Sequence, residues 1–369
     1  MVKKHIDALT GIRGIAALWV LLHHLVTQYP LEGKLPHWVT NIADKGWLGV
    51  DLFFLLSGFV IAYVHHNDFS HRLSFSSWRR FMWLRIARIY PVHLVTTLAL
   101  VPIFLLASTL FNYHSPADAF SLSKLLFSIS LTNGFGVENS VGWNAPSWSV
   151  SSEFFAYLCF PFLAALLFRA SLSMLQCFAI MATVFALTIS LGWGLTDKQS
   201  YFAGWQFVLL RVLSEFLVGM LIFRLYQITK VTTLLPMAVV ALSIIAFMAL
   251  LNTHSRWDWV MIMAFGLLLF SLTDNSHFAS RWLSGSVAVY LGKISYSVYL
   301  CHGVVFMVLN SAFGRLLPDW SGVALSVPIV AYIGVSIFAA HITYTFIEVP
   351  AQAWLKQRIT REYRADVKT

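Results

Sequence analysis

The sequence predicts an all-α, polytopic membrane protein with about ten transmembrane helices and both termini in the cytoplasm. Three observations predict it. Of 369 residues, 58% are hydrophobic and only 11% charged, whereas a soluble globular domain carries roughly 25% charged residues. Ten apolar stretches are long enough, or nearly so, to cross a hydrocarbon core of about 30 Å. Lysine and arginine gather on alternate connections, the asymmetry that orients membrane proteins. The net charge of +9 therefore reports orientation, and no nucleic-acid partner is expected.

In chain order the stretches fall near 9–28, 47–65, 89–111, 150–168, 173–193, 204–226, 233–251, 258–273, 287–309 and 322–347, the eighth being short. The first follows Lys3 and Lys4 as a signal peptide would. Arg13 interrupts it and HHLVTQYP offers no small-residue cleavage site, so it is expected to be retained. With the N-terminus inside, the cytoplasmic segments hold sixteen Lys and Arg: Lys3, Lys4, Arg72, Arg79, Arg80, Arg85, Arg88, Arg169, Arg224, Lys230, Arg281 and five from Lys356 to Lys368. The outer segments hold six: Lys34, Lys45, Lys124, Lys198, Arg256 and Arg315. The organisation expected is one membrane-embedded domain, 1–352, with a basic cytoplasmic tail, 353–369, and one sizeable outer loop, 112–149.

Cys159, Cys177 and Cys301 sit in apolar stretches without CxxC spacing, which reads as core packing. Thirteen histidines show no HExxH, and His65, His66 and His71 fall in a cytoplasmic loop, so no metal centre is expected.

Ionisable residues inside membrane helices are candidates for function. Arg13 and His24, eleven residues apart in the first stretch, share a helical face about 16 Å apart. They suit a ligand threaded from the cytoplasm, or else Arg13 snorkels and His24 bonds to a neighbouring helix. Asp51 stands near the outer end of the second stretch, where Ser57–Gly58 reads as a close-packing pair more readily than as a nucleophile. Ser149, Glu153 and Tyr157 form an i, i+4, i+8 stripe in the fourth. Arg211 and Glu215 in the sixth read as a neutralising pair. Lys293, Tyr296 and His302 lie in the ninth. Before the third, Arg85 and Arg88 share a face in RRFMWLRIARIYP, either an anion grip or ordinary positive-inside charge against anionic lipid.

Together these residues resemble the acyltransferase-3 family of membrane proteins. The resemblance rests on Arg13-x10-His24 within ALTGIRGIAAL, Arg85-x-x-Arg88, GVDLFFLLSGF, WSVSSEFFAY, GKISYSVYLCH and TYTFIEVPAQ, in that order over nearly the whole chain. Phe154 stands where many members carry a second acidic residue, so a carboxylate pair is not expected there. No esterase-like outer domain accompanies these blocks, so the protein is expected to act alone or to hand its product on.

The resemblance implies O-acylation, most readily O-acetylation, of a sugar or cell-surface glycan with acyl-CoA (acetyl-CoA) as donor substrate and no permanently bound cofactor. It implies a bacterial inner (plasma) membrane. Arg85 and Arg88 would take the donor's phosphates, with Arg13 at the cytoplasmic mouth. His24 would be the general base and Glu153 would orient the histidine or the acceptor. Membrane lipid is the third expected partner. Two other classes are compatible. A transporter of a small polar or anionic solute would also bury Arg, Glu and His, although the chain shows no clear repeat symmetry. A structural or regulatory membrane protein could keep the fold without the activity.

Overall fold

Residues 5–29, 31, 34–70, 73–111, 120–136, 142–195, 205–229, 234–316 and 326–366 are described by the computed structural model. Lys3, Lys4, Arg72, Lys198, Lys230 and Lys368 of the charge pattern lie outside the described residues. So do His71, the end of the basic tail beyond 366, and 112–119 and 137–141 of the outer loop. Every regular element among the described residues is helical. In order they are α1 (Asp7–Gln28), α2 (His37–Asp44), α3 (Gly49–Phe69), α4 (Phe75–Phe111), α5 (Leu122–Ile129), α6 (Ser147–Arg169) and α7 (Met174–Leu195). Then come α8 (Val208–Ile228), α9 (Leu235–Leu250), α10 (Asp258–Ser271), α11 (Phe278–Leu283), α12 (Ser286–Leu316), α13 (Ser326–Thr343) and α14 (Val349–Asp366).

The described part of each of the ten apolar stretches falls on a helix, and seven helical segments among the described residues are long and apolar enough to cross a membrane. The other three are α8, whose 21 residues include Arg211, Glu215 and Arg224, and the shorter α9 and α10 of 16 and 14 residues. The protein is thus an integral membrane protein, helical throughout its regular elements among the described residues. Where the sequence suggests a loop before the third stretch, the arginines instead open the 37-residue helix α4. Arginine is a good helix former, so the charges interrupt the hydropathy and leave the helix intact.

The chain divides into two compact units, one from residues 1–73 and 159–295, the other from 74–158 and 296–369. In the first, α3 and α8 pack at backbone distance. A Cβ on Gly58 would stand 1.9 Å from the Phe216 carbonyl oxygen, and one on Gly219 2.1 Å from that of Leu55. The Ser57–Gly58 pair is therefore a packing device at the glycine. α1 buries Ala16, Ala17, Val20 and Leu21, and its Trp19 Nε1–H donates to the Ile42 carbonyl of α2 (2.6 Å).

Buried charges in this unit are paired, as a medium without water requires. Arg211 donates through Nε to Asp51 (2.7 Å) and Glu215 (3.4 Å), with its guanidinium 5.1 Å from the Trp47 ring. Lys45 Nζ reaches Asp258 Oδ1 (2.7 Å) and the Thr253 carbonyl (2.6 Å).

The second unit gathers α4, α5, α13, α14, the first half of α6 and the later part of α12. The segment 112–149, expected outside, is not plain coil where it is described. It contains α5, capped by Ser121 Oγ accepting from the Lys124 amide, and its chain is tied down by polar side chains. His93 Nε2–H donates to the Ser128 carbonyl (2.7 Å), Trp143 Nε1–H to that of Ser121 (2.9 Å) and Asn144 Nδ2 to Thr96 Oγ1 (2.9 Å).

Candidate active site

In the first unit, α1 carries Arg13 and His24 on one unbroken helix, so their separation along its axis is the expected 16 Å or so. The His24 Nδ1–H donates to the Val20 carbonyl at 2.9 Å. A carbonyl oxygen only accepts, so Nδ1 carries the proton and the neutral ring keeps its lone pair on Nε2. His23 packs edge-on against His24, ring centroids 5.3 Å apart, and points its Nδ1 toward Asp44 at 4.0 Å. Asp51, fully buried, serves Arg211, and half-buried Ser57 adjoins the α3–α8 packing seam.

In the second unit the structure brings together residues from α4, α6, α12 and α14. Arg85 and Arg88 lie one turn apart on α4. The Arg85 guanidinium sits 5.6 Å from the Phe81 ring, Phe81 meets Tyr157 edge-on at 6.5 Å, and Arg85 is within electrostatic reach of Tyr157 and Glu153. Arg88 lies 5.5 Å from the Tyr296 ring and pairs with Glu348 Oε1. Ser297 Oγ donates to Glu348 Oε2 at 2.7 Å, and the Tyr296 hydroxyl donates to the Ile89 carbonyl at 2.5 Å. His302, further along α12, directs Nδ1 to the Val298 carbonyl (3.3 Å) beside Tyr299. Tyr299 accepts from Ser149 Oγ at 2.8 Å, so Ser149 leaves the Glu153–Tyr157 stripe for a structural bond.

Arg85, Arg88, Glu153, Tyr157 and Tyr296 therefore form one polar cluster, while Arg13, His24, Asp51 and Ser57 belong to the first unit. Glu348 and Ser297 are members that sequence reasoning misses. The available signal is a lone carboxylate in the otherwise uncharged TYTFIEVPAQ. A π-helical stretch, Tyr344–Glu348, joins α13 to α14 there. Its wider turn changes the helical register where Glu348 meets α4, a device common at functional sites.

An acyltransferase domain family, Acyl_transf_3, matches residues 6–346. The chain belongs to that family. As an Acyl_transf_3 member it is an acyltransferase. It is 28% identical to acyltransferase MdmB of Streptomyces mycarofaciens over 96% of this chain and 93% of that protein. It is 24% identical, over 94% of this chain, to a Staphylococcus aureus (strain COL) protein provisionally named an O-acetyltransferase. The chain spans 57% of the length of that staphylococcal relative. No solved structure matches.

Proposed function

We propose that this Acyl_transf_3 member is a membrane O-acyltransferase that moves an acyl group, acetyl first among them, from cytoplasmic acyl-CoA to a hydroxyl of a sugar or cell-surface glycan. The observation that carries the mechanism is the His24 Nδ1–H bond to Val20, which leaves Nε2 as the basic nitrogen. In the reaction Nε2 accepts the proton of the acceptor hydroxyl as its oxygen attacks the thioester carbonyl. The C–S bond then breaks, and the departing thiolate takes the proton to leave as CoA thiol. Arg85 and Arg88 bind the donor's phosphates, Arg13 lines the cytoplasmic mouth, and Glu153 orients the acceptor or the histidine.

The setting that goes with this reading is a bacterial plasma membrane, ten spans and both termini in the cytoplasm. Support for it comes from the helices on which the ten apolar stretches fall, from the sixteen-to-six division of basic residues and from relatives that are bacterial. The test is thiol release from acetyl-CoA by purified protein in vesicles, with and without a mixed glycan extract, beside the His24→Ala variant. Release that depends on His24 and rises with glycan is expected. No release by folded wild-type protein with any short acyl-CoA would overturn the reading.

A further inference from the structure

α1 carries two histidines in succession, and the proposed reaction uses one of them. His23 leaves the helix about 100° around from His24, yet the two rings meet edge-on, centroids 5.3 Å apart and planes at 84°. On its own helix His24 is held by the Nδ1–H bond to the Val20 carbonyl. A hydrogen bond at one edge does not by itself stop an imidazole from swinging, because its ring torsion is soft and broad. The His23 ring packed against it narrows that freedom.

His23 is itself aimed from outside α1. Its Nδ1 faces the Oδ1 of Asp44, the last residue of α2, at 4.0 Å. That is beyond hydrogen-bond reach but within the range over which a carboxylate orients an N–H dipole. The His23 side chain is 18% exposed and that of Asp44 46%, so water weakens the pull without removing it.

Asp44 in turn is fixed by the turn between α9 and α10. Asn252, just past α9, takes a left-handed conformation (φ 44°), which asparagine adopts more readily than most residues. Its Nδ2–H donates to Asp44 Oδ2 at 3.1 Å. Further contacts stitch the same turn to either side of Asp44. Asn41 Nδ2 donates to the Leu250 carbonyl (2.8 Å), and Lys45 Nζ to the Thr253 carbonyl (2.6 Å) and to Asp258 (2.7 Å). Asp44 therefore meets the turn with one oxygen and His23 with the other. The contacts run from Asn252 through Asp44 and His23 to His24, all within the first unit.

We propose that His23 is a positioning residue for His24, and that Asp44, braced by Asn252, aims it. The chain of contacts holds His24 Nε2 in one direction, so that the acceptor hydroxyl meets it at a set geometry. This rests on the reading of His24 as the base. His23 acts on the chemical step through its neighbour, so its effect falls on kcat and not on KM for the donor.

The experiment measures thiol release from acetyl-CoA with glycan for wild type, His23→Ala, His23→Phe, Asp44→Asn and His23→Phe/Asp44→Asn, each with its melting temperature in detergent. His23→Ala is expected to lose about tenfold in kcat, the size of one aromatic edge contact, with KM for acetyl-CoA kept. His23→Phe, which keeps a ring edge, restores most of that loss. Asp44→Asn costs about threefold where His23 is present and nothing further in His23→Phe, because the carboxylate acts through the imidazole N–H. Full kcat in His23→Ala, a His23→Phe protein no faster than His23→Ala, or an equal Asp44→Asn loss in both backgrounds overturns the proposal. The two His23→Phe proteins decide it even where His23→Ala does not fold.

Ring-nitrogen NMR of His24 in bilayers needs no turnover. A single Nδ1–H tautomer in wild type and a mixture in His23→Ala is expected, and a single tautomer in both overturns the proposal. If wild type releases no thiol from any acyl-CoA, the functional reading fails, while the tautomer measurement still decides whether His23 positions His24.

Discussion

Glu348 is the buried partner of Arg88, reaching it across 260 residues of chain from the end of the π-helical stretch while Ser297 holds the other carboxylate oxygen. Removing one member of such a pair leaves the other charged in a site with little water. Glu348→Gln is expected to destabilise the protein by about 3 kcal/mol, and Arg88→Gln/Glu348→Gln together by less than the sum of the single changes. Thermal unfolding of the four proteins in detergent measures the coupling. Additive losses would show that the pair is not a stabilising unit.

Lys45 and Asp258 make the corresponding pair in the other unit, 2.7 Å apart with side chains 4% and 0% exposed. Lys45→Met strands the carboxylate and is expected to cost about 3–5 kcal/mol. Because the pair is buried, that cost should barely change between low and high salt. Denaturation at two ionic strengths checks it, and a salt-sensitive loss would place the pair in solvent.

His24 offers a way to separate fold from chemistry. Asparagine can present its amide nitrogen where Nδ1–H now donates to Val20 and has no group at Nε2. His24→Asn should keep wild-type expression and melting behaviour while losing at least about 10²-fold in thiol release, the scale of general-base catalysis. Activity near wild type in a folded His24→Asn protein would remove His24 as the base.

Ser57 and Gly58 predict opposite outcomes from neighbouring positions. Gly58→Ala drives a methyl into the Phe216 backbone and should destabilise by at least about 1–3 kcal/mol, the usual cost of overpacking. Ser57→Ala should fold and turn over like wild type. A folded, inactive Ser57→Ala protein would revive the nucleophile reading.

Much of the fold and part of the candidate site are legible in the sequence alone. The described parts of the ten apolar stretches all fall on helices, and the i, i+3 spacing of Arg85 and Arg88 does place them one turn apart. Other features are hidden for identifiable reasons. Four arginines mask the start of α4 because hydropathy and helix propensity measure different things. Glu348 stands in view within TYTFIEVPAQ without a role, since its partner lies on another helix and a π-helical turn alters its register. Asp51 reads as an outer-end candidate, whereas packing of α3 on α8 gives it to Arg211. Lys356 reads as tail because a basic run after the last apolar stretch is indistinguishable from a solvated end until its helix is seen against α4.

By itself the sequence determined that the protein is helical and membrane-embedded, where its helices run, and which chemical groups they carry. Those properties are local: in lipid each backbone group must be satisfied within its own helix, so length, apolarity and residue type suffice. Only the tertiary structure decided which charges meet. Arg88 with Glu348, Arg211 with Asp51 and Lys45 with Asp258 are separated by 260, 160 and 213 residues. Helical periodicity says which residues share a face and nothing about which face that face is packed against.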